Sequence, residues 1–162
     1  MTVWRRLQQA GAVSVGQGMW MLPQTPNQER FFVELLQEIQ AQGGNGLLLV
    51  ASVLDTPGNE QMIRLFQEER DRDNTEFADR CDEFFREIEK ETQTQHWSFV
   101  ELEEIEEDFA KLTRWLRTIQ HRDFFPGPQS EEATRRLSQC RQMLDVLTRS
   151  VYTSAGLSPK DE

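Results

Sequence analysis

Two clusters of side chains in this 162-residue sequence have types and spacing that suit chemistry. The first is Arg70-Asp71-Arg72-Asp73-Asn74-Thr75-Glu76. It interrupts an apolar stripe in which Met62, Phe66, Phe77, Cys81, Phe84 and Ile88 share one face of a helix predicted from about Asn59 to about Thr92. Between Phe66 and Phe77 that face is held by Arg70 and by Asp73 or Asn74. A polar gap on an inward face must be paired or wet. An arginine there offers a planar fork of donors that matches a carboxylate or a free oxyanion. The plain structural alternative is a buried ion-pair network, with Asp73 and Glu76 nearby and Glu106 on the next helix as one partner for Arg70. The second cluster is Arg114, Arg117, His121 and Arg122 followed by Asp123, close to a helix C-terminus where the dipole favours cations. It suits an oxyanion, or else an exposed basic end that caps the helix.

Little else in the chain resembles a reactive centre. The two histidines, His96 and His121, lie 25 positions apart and neither belongs to an HxxxH or HExxH pattern. Glu101 to Asp108 holds six carboxylates in eight residues, but they flank an apolar stripe instead of following the Asp-x-Asp spacing of a calcium loop, so they read as a solvated helix face. Cys81 and Cys140 fall at apolar positions of helical patterns with no CxxC, and read as reduced core residues. GxSxG, GxxxxGK[ST] and GxGxxG are absent, and Gly16-Gln17-Gly18 lacks the further glycine and helix start of a phosphate loop. No catalytic residue, metal ligand or cofactor is expected, and the chain reads as a non-enzyme.

The elements that must position the clusters divide by charge and period. Residues 1–57 carry net −1, residues 58–108 net −12 and residues 109–162 net +3. The overall −10 opposes steering toward a nucleic-acid backbone, so DNA contact is weakly expected at most. No apolar run nears the roughly 20 residues of a membrane helix, and the N-terminus lacks a secretory h-region, so a cytoplasmic protein without membrane contact is expected. In 1–57, Trp4 and Leu7 share a face of a short helix that Gly11 ends, and Ala12 to Val15 and Met19 to Leu22 form a hairpin about Gly16-Gln17-Gly18. Pro26 and Asn27 open a helix with Phe31, Phe32, Leu35, Leu36 and Ile39 inward, stopped by Gly43-Gly44-Asn45-Gly46. Leu47 to Leu54 reads as a central strand covered on both faces.

The order α-β-β-α-β is that of a ferredoxin-like unit without its first strand, which leaves an open sheet edge through which copies are expected to associate as a homo-oligomer. Beyond it, 58–162 reads as a helical extension packed on 1–57, three antiparallel helices in one compact α+β domain. Ser98 and Glu101 form a capping box after Trp97; Leu102, Ile105, Phe109, Leu112, Leu116 and Ile119 follow on one face. Ser130 is placed to cap the last helix, whose inward face is Ala133, Leu137, Cys140, Leu144, Leu147 and Val151.

Several of these segments together carry a resemblance. Val3-Trp4-Arg5-Arg6-Leu7, Gly11-Ala12-Val13, Gly18-Met19-Trp20-Met21-Leu22-Pro23, Leu47 to Leu54, Arg70-Asp71-Arg72-Asp73 with Glu76, the Phe99 to Asp108 helix, Trp115 and Arg122-Asp123-Phe124-Phe125 occur in an order that resembles the N-terminal domain of the ChrB family of chromate-resistance regulatory proteins. The resemblance covers nearly the whole chain. It implies a ferredoxin-like unit similar to that of PaaX-type repressors and Cas2 proteins, followed by a helical extension, and a transcriptional regulator responding to chromate. Three departures stand out: the usual apolar first strand and the C-terminal ChrB domain are not in the sequence, and Asn74 stands where the family has an aromatic after Arg-Asp-x-Asp. Cas2-like nuclease chemistry would need an acidic residue at the end of that first strand. The expected function is therefore regulation or sensing of chromate or a related oxyanion, with Arg70, Arg114, Arg117 and Arg122 as donors and Asp73, Glu76, Glu106 and Asp123 as the supporting network. The alternative is an interaction or assembly module that takes neither a small ligand nor DNA.

Overall fold

The structure, a computed structural model, describes residues 2–94 and 98–157. His96 and Trp97 lie outside the described residues. In chain order the elements are α1 (Val3–Gln9), β1 (Val13–Gly16), β2 (Met19–Met21), α2 (Pro26–Ala41), α3 (Thr56–Thr94), α4 (Phe99–His121) and α5 (Pro128–Ser154). The architecture is α+β: mostly helical, with one two-stranded antiparallel sheet among the described residues. The chain divides into two compact units, Met1–Glu69 with Arg122–Phe125, and Arg70–His121 with Pro126–Glu162.

In the first unit the glycine punctuation sets the geometry. At the end of α1 the Gly11 N–H donates to the Gln8 carbonyl and the Ala12 N–H to the Leu7 carbonyl, each at 3.0 Å, and Gly11 takes φ +80°, a Schellman cap. Gly43 ends α2 in the same way, with φ +81° and a 2.8 Å bond from the Gly44 N–H to the Ile39 carbonyl. At its other end α2 is capped by Thr25, whose hydroxyl accepts from the Gln28 N–H, with Pro26 in the first turn. The hairpin pairs Val13 with Met21, Ser14 with Trp20 and Gly16 with Met19, with a bulge between Ser14 and Gly16. Leu7, Ala12 and Leu35 form its core, with Trp20, Leu22, Phe31, Phe32 and Ile39 packed against them. Arg6 ties α1 to α2 through an ion pair with Glu38, and its guanidinium lies 5.8 Å from the centre of the Phe31 ring.

Two expectations for this unit are corrected. Trp4 does not share the inward face with Leu7: it is 54% exposed while Leu7 is 5%, because a helix of seven residues turns only one side chain fully into so small a core. Leu47 to Leu54 is not a strand. It belongs to no helix or sheet, and Leu47, Leu49, Val50 and Leu54 are 73–100% exposed. A strand needs a neighbour for its N–H and C=O groups, and the only ladder among the described residues is β1 with β2. The observed order is thus α-β-β-α, and no ferredoxin-like sheet forms among the described residues.

The same unit holds the return of the chain at 122–125. A Cβ on Gly11 would stand 2.9 Å from the Arg122 carbonyl oxygen and 3.0 Å from the Phe124 ring, so the segment lies directly on the glycine. Phe66 meets Phe124 edge-on at 6.1 Å and Phe125 at 5.3 Å, and Gln67 Nε2 donates to the Phe125 carbonyl at 3.3 Å. Tight packing makes Phe66 a buried residue.

In the second unit, α4 runs antiparallel both to the later part of α3 and to α5. Phe77 packs on Trp115 and Phe84 on Phe109, numbers rising on α3 as they fall on α4. Phe99 meets Tyr152, Arg141 lies over the Phe109 ring and Gln120 bonds Thr134, which sets α4 against α5 in the same sense. The core is the expected one, Phe77, Cys81, Phe84 and Ile88 with Leu102, Ile105, Leu112, Leu116, Ile119 and Ala133, Cys140, Leu144, Leu147, Val151. Ser98 caps α4 through a 3.2 Å bond from the Glu101 N–H. Ser130 does not cap α5: the helix begins two residues earlier at Pro128, with Gly127 before it, because proline is already preset for the first turn.

Substituting Gly11→Ala forces a side chain into the left-handed region and against the Arg122 carbonyl. We expect a loss of about 2–3 kcal/mol in chemical denaturation, whereas Gly18→Ala, where nothing lies within 4 Å, costs only the backbone part of that loss.

Candidate functional site

The inward face of α3 is the most informative surface in the second unit. Arg70, Asn74, Phe77 and Cys81 follow at helical spacing, and all four are buried. Arg70 is 7% exposed and Asn74 2%, so the gap read in the sequence is filled by Arg70 and Asn74, and Asp73 stands half-buried beside them. Arg70 Nη1 lies 3.0 Å from Asp73 Oδ2, an ion pair by distance rather than by hydrogen-bond angle. Glu106 is exposed on α4 and Glu76 is exposed on α3. The Arg70–Asp73 pair is a local one at i, i+3, carried by a single helix.

Asn74 is the unusual member. Its Nδ2 and Oδ1 are both buried and neither has a hydrogen-bond partner among the described residues. An amide in that state costs roughly 1–3 kcal/mol, and a polar atom so placed calls for a water, an ion or a ligand. Sequence reasoning left the choice between Asp73 and Asn74 open, since both lie near the stripe.

The residues of the second cluster fall in both units. Arg114, Arg117 and His121 are exposed on α4. Arg122 and Asp123 are half-buried in the first unit, where Arg122 packs on Gly11, and Asp123 Oδ2 is buried without a hydrogen-bond partner among the described residues. The helix ends at His121, and the chain leaves its dipole at the residues that were read as one basic cap.

Sequence reading missed a polar clasp between α3 and α5. Arg136 pairs with Asp82 across the two helices and with Glu132 one turn back at 2.9 Å, and Glu132 also takes a bidentate contact from Arg135. The i, i+3 and i, i+4 spacing of these charges was the available signal. Beside it the Cys81 and Cys140 side chains share a hydrogen bond inside the core, and that bond together with burial pushes the Cys81 thiol up. Both cysteines are free and fully buried, which agrees with their reading as reduced core residues. No group of three or more His, Cys, Asp or Glu side chains suited to a metal occurs among the described residues.

The fold and the buried Arg70–Asn74 step define an acidic α+β protein with a small α/β unit and a three-helix unit, the latter carrying polar side chains in the inward face of α3. The family model for the N-terminal region of protein ChrB matches residues 1–157, and the chain belongs to that family, which is associated with chromate resistance. No curated protein matches the chain. No solved structure matches it either. No helix among the described residues is long and apolar enough to cross a membrane.

The arginines on either side hold the Glu132 carboxyl at about 2, well below its usual 4.5, the hydrogen bond from Arg135 contributing most and that from Arg136 next. A carboxyl whose folded value is depressed stabilises the fold above its unfolded value and loses that contribution as pH falls. A carbon-detected NMR titration should place the Glu132 midpoint near 2. The stability difference between wild type and Glu132→Gln should be constant above about pH 4.5 and vanish as pH falls toward 2.

Proposed function

We propose that this protein is a regulatory module that senses chromate or a related tetrahedral oxyanion and acts on gene expression without enzymatic turnover. One observation carries the reading: Arg70 and Asn74 are buried one turn apart on the inward face of α3, and the Asn74 amide has no partner there. A guanidinium carries five N–H donors and an amide two more, the donor set that an oxyanion needs in a place shielded from water. A guanidinium fork can serve a carboxylate such as Asp73 and an oxyanion together. Membership of a family associated with chromate resistance supports the choice of anion. The exposed Arg114 and Arg117 on α4 are the residues through which this acidic chain would meet a DNA backbone.

A second reading, an assembly module that takes no small ligand and no DNA, is favoured by the exposed apolar run Leu47 to Leu54.

Calorimetric titration with chromate and with sulfate separates the readings. Saturable binding is expected, weakened roughly 10- to 100-fold by Arg70→Ala, in line with a charge-assisted contact of about 1.5–3 kcal/mol. Asn74→Leu should weaken it too, while raising the stability of the ligand-free chain by about 1 kcal/mol, because the change removes an unpartnered buried amide. Absence of binding in the wild type, with an unchanged chromate response in Arg70→Ala, would sink the sensing proposal. A mobility-shift assay at fixed low salt with the DNA upstream of the gene, with and without chromate, tests the regulatory half: a shift that chromate alters is expected, and no shift contradicts it.

A further inference from the structure

We infer that Leu47 to Leu54 is a self-association strand, whose partner is the same segment of a second copy of this chain. The inference gives the assembly reading its partner and is independent of the oxyanion site. Eight consecutive residues, Leu47-Leu48-Leu49-Val50-Ala51-Ser52-Val53-Leu54, are all exposed, and they contain no charge, no proline and no glycine. Leu54 is 100% exposed and Leu47, Leu49 and Val50 between 73% and 79%. The composition is that of a strand covered on both faces, yet no ladder engages it among the described residues. Soluble chains do not leave such a segment open unless something covers it.

Three features select a second copy as the cover. An antiparallel pairing of a segment with itself has two-fold symmetry, so one run supplies both strands and the N–H and C=O groups of alternate residues gain a partner. The run and its surroundings are the near-neutral part of the chain, net −1 over residues 1–57 against −12 over 58–108, so two copies meet here with the least repulsion. The six large apolar side chains of each run stand beside those of the other copy across the pair, so pairing removes part of their exposed surface from water. A lipid surface fits less well. The run is flanked by Asn45 and Asp55 with no lysine or arginine near it, and the −10 chain is repelled by anionic headgroups.

Sedimentation velocity of the full chain across a wide concentration range is the test. A species of twice 19.0 kDa is expected, with Leu49→Asp/Val50→Asp shifting the chain to monomer. Because both side chains are exposed and outside either core, that variant should keep the helical far-UV spectrum of the wild type. A pairing whose two-fold axis passes through Val50, matching Leu47 with Val53, places Val50 directly opposite its own equivalent, so Val50→Cys should give a covalent dimer under mild oxidation. Trp4→Cys, exposed elsewhere in the same unit, should not, and Cys81 and Cys140 are too buried to compete. A wild-type chain that stays monomeric, leaving the run to a strand from another polypeptide or to none, overturns the inference. So does a dimer that persists in Leu49→Asp/Val50→Asp or that Val50→Cys fails to cross-link. Loss of the dimer with chromate binding intact would leave the sensing proposal standing, and the reverse result would leave this one standing.

Discussion

Burying a guanidinium and a carboxamide on the face that should carry apolar side chains is the constraint around which α3 is organised. From Phe66 to Ile88 the inward positions are continuously buried, but Arg70 and Asn74 occupy two of them. An apolar residue in place of Asn74 would complete the stripe there and lower the free energy of the fold. Arg70 has a counter-charge, Asp73, at i, i+3 on its own helix. Holding such a step open is costly, and that cost is the ground on which an oxyanion-binding role is proposed for it.

The rest of the architecture is consistent with that role. The first unit is assembled from α1, the hairpin, α2, the opening turns of α3 and the returning segment Arg122–Phe125, held by Gly11 on one side and Phe66 on the other. The second unit begins at Arg70 itself. One covalent helix therefore runs through both units. In the second unit Phe77, Cys81 and Cys140 are fully buried, and the Asp82–Arg136–Glu132 clasp joins α3 to α5.

What was legible in the sequence followed from local rules. Periodicity gave α2 to α5 and nearly all of the second core, and glycine and threonine chemistry gave the ends of α1 and α2. The errors came where a residue's fate depends on a partner far away in the chain or outside it. Leu47 to Leu54 has the composition of a buried strand, but composition cannot supply the neighbouring strand. Trp4 has the right spacing from Leu7, but a core of three buried residues has no room for it. Arg70 was legible from its interruption of the stripe. Arg114 and Arg117 lie exposed on α4, while Arg122, past the end of that helix, is half-buried and belongs to the first unit, a division that spacing in the sequence does not show.

The account stands or falls on the Asn74 amide. A heteronuclear NMR spectrum resolving the Asn74 side-chain NH2 pair, followed through a titration with chromate and then sulfate, reads that group directly. A saturable shift of this pair and of the Arg70 Nε–H, unaltered in Arg117→Ala, is the predicted result. Resonances that stay fixed at saturating oxyanion would contradict it and leave Arg70 and Asn74 as a structural feature of the helix.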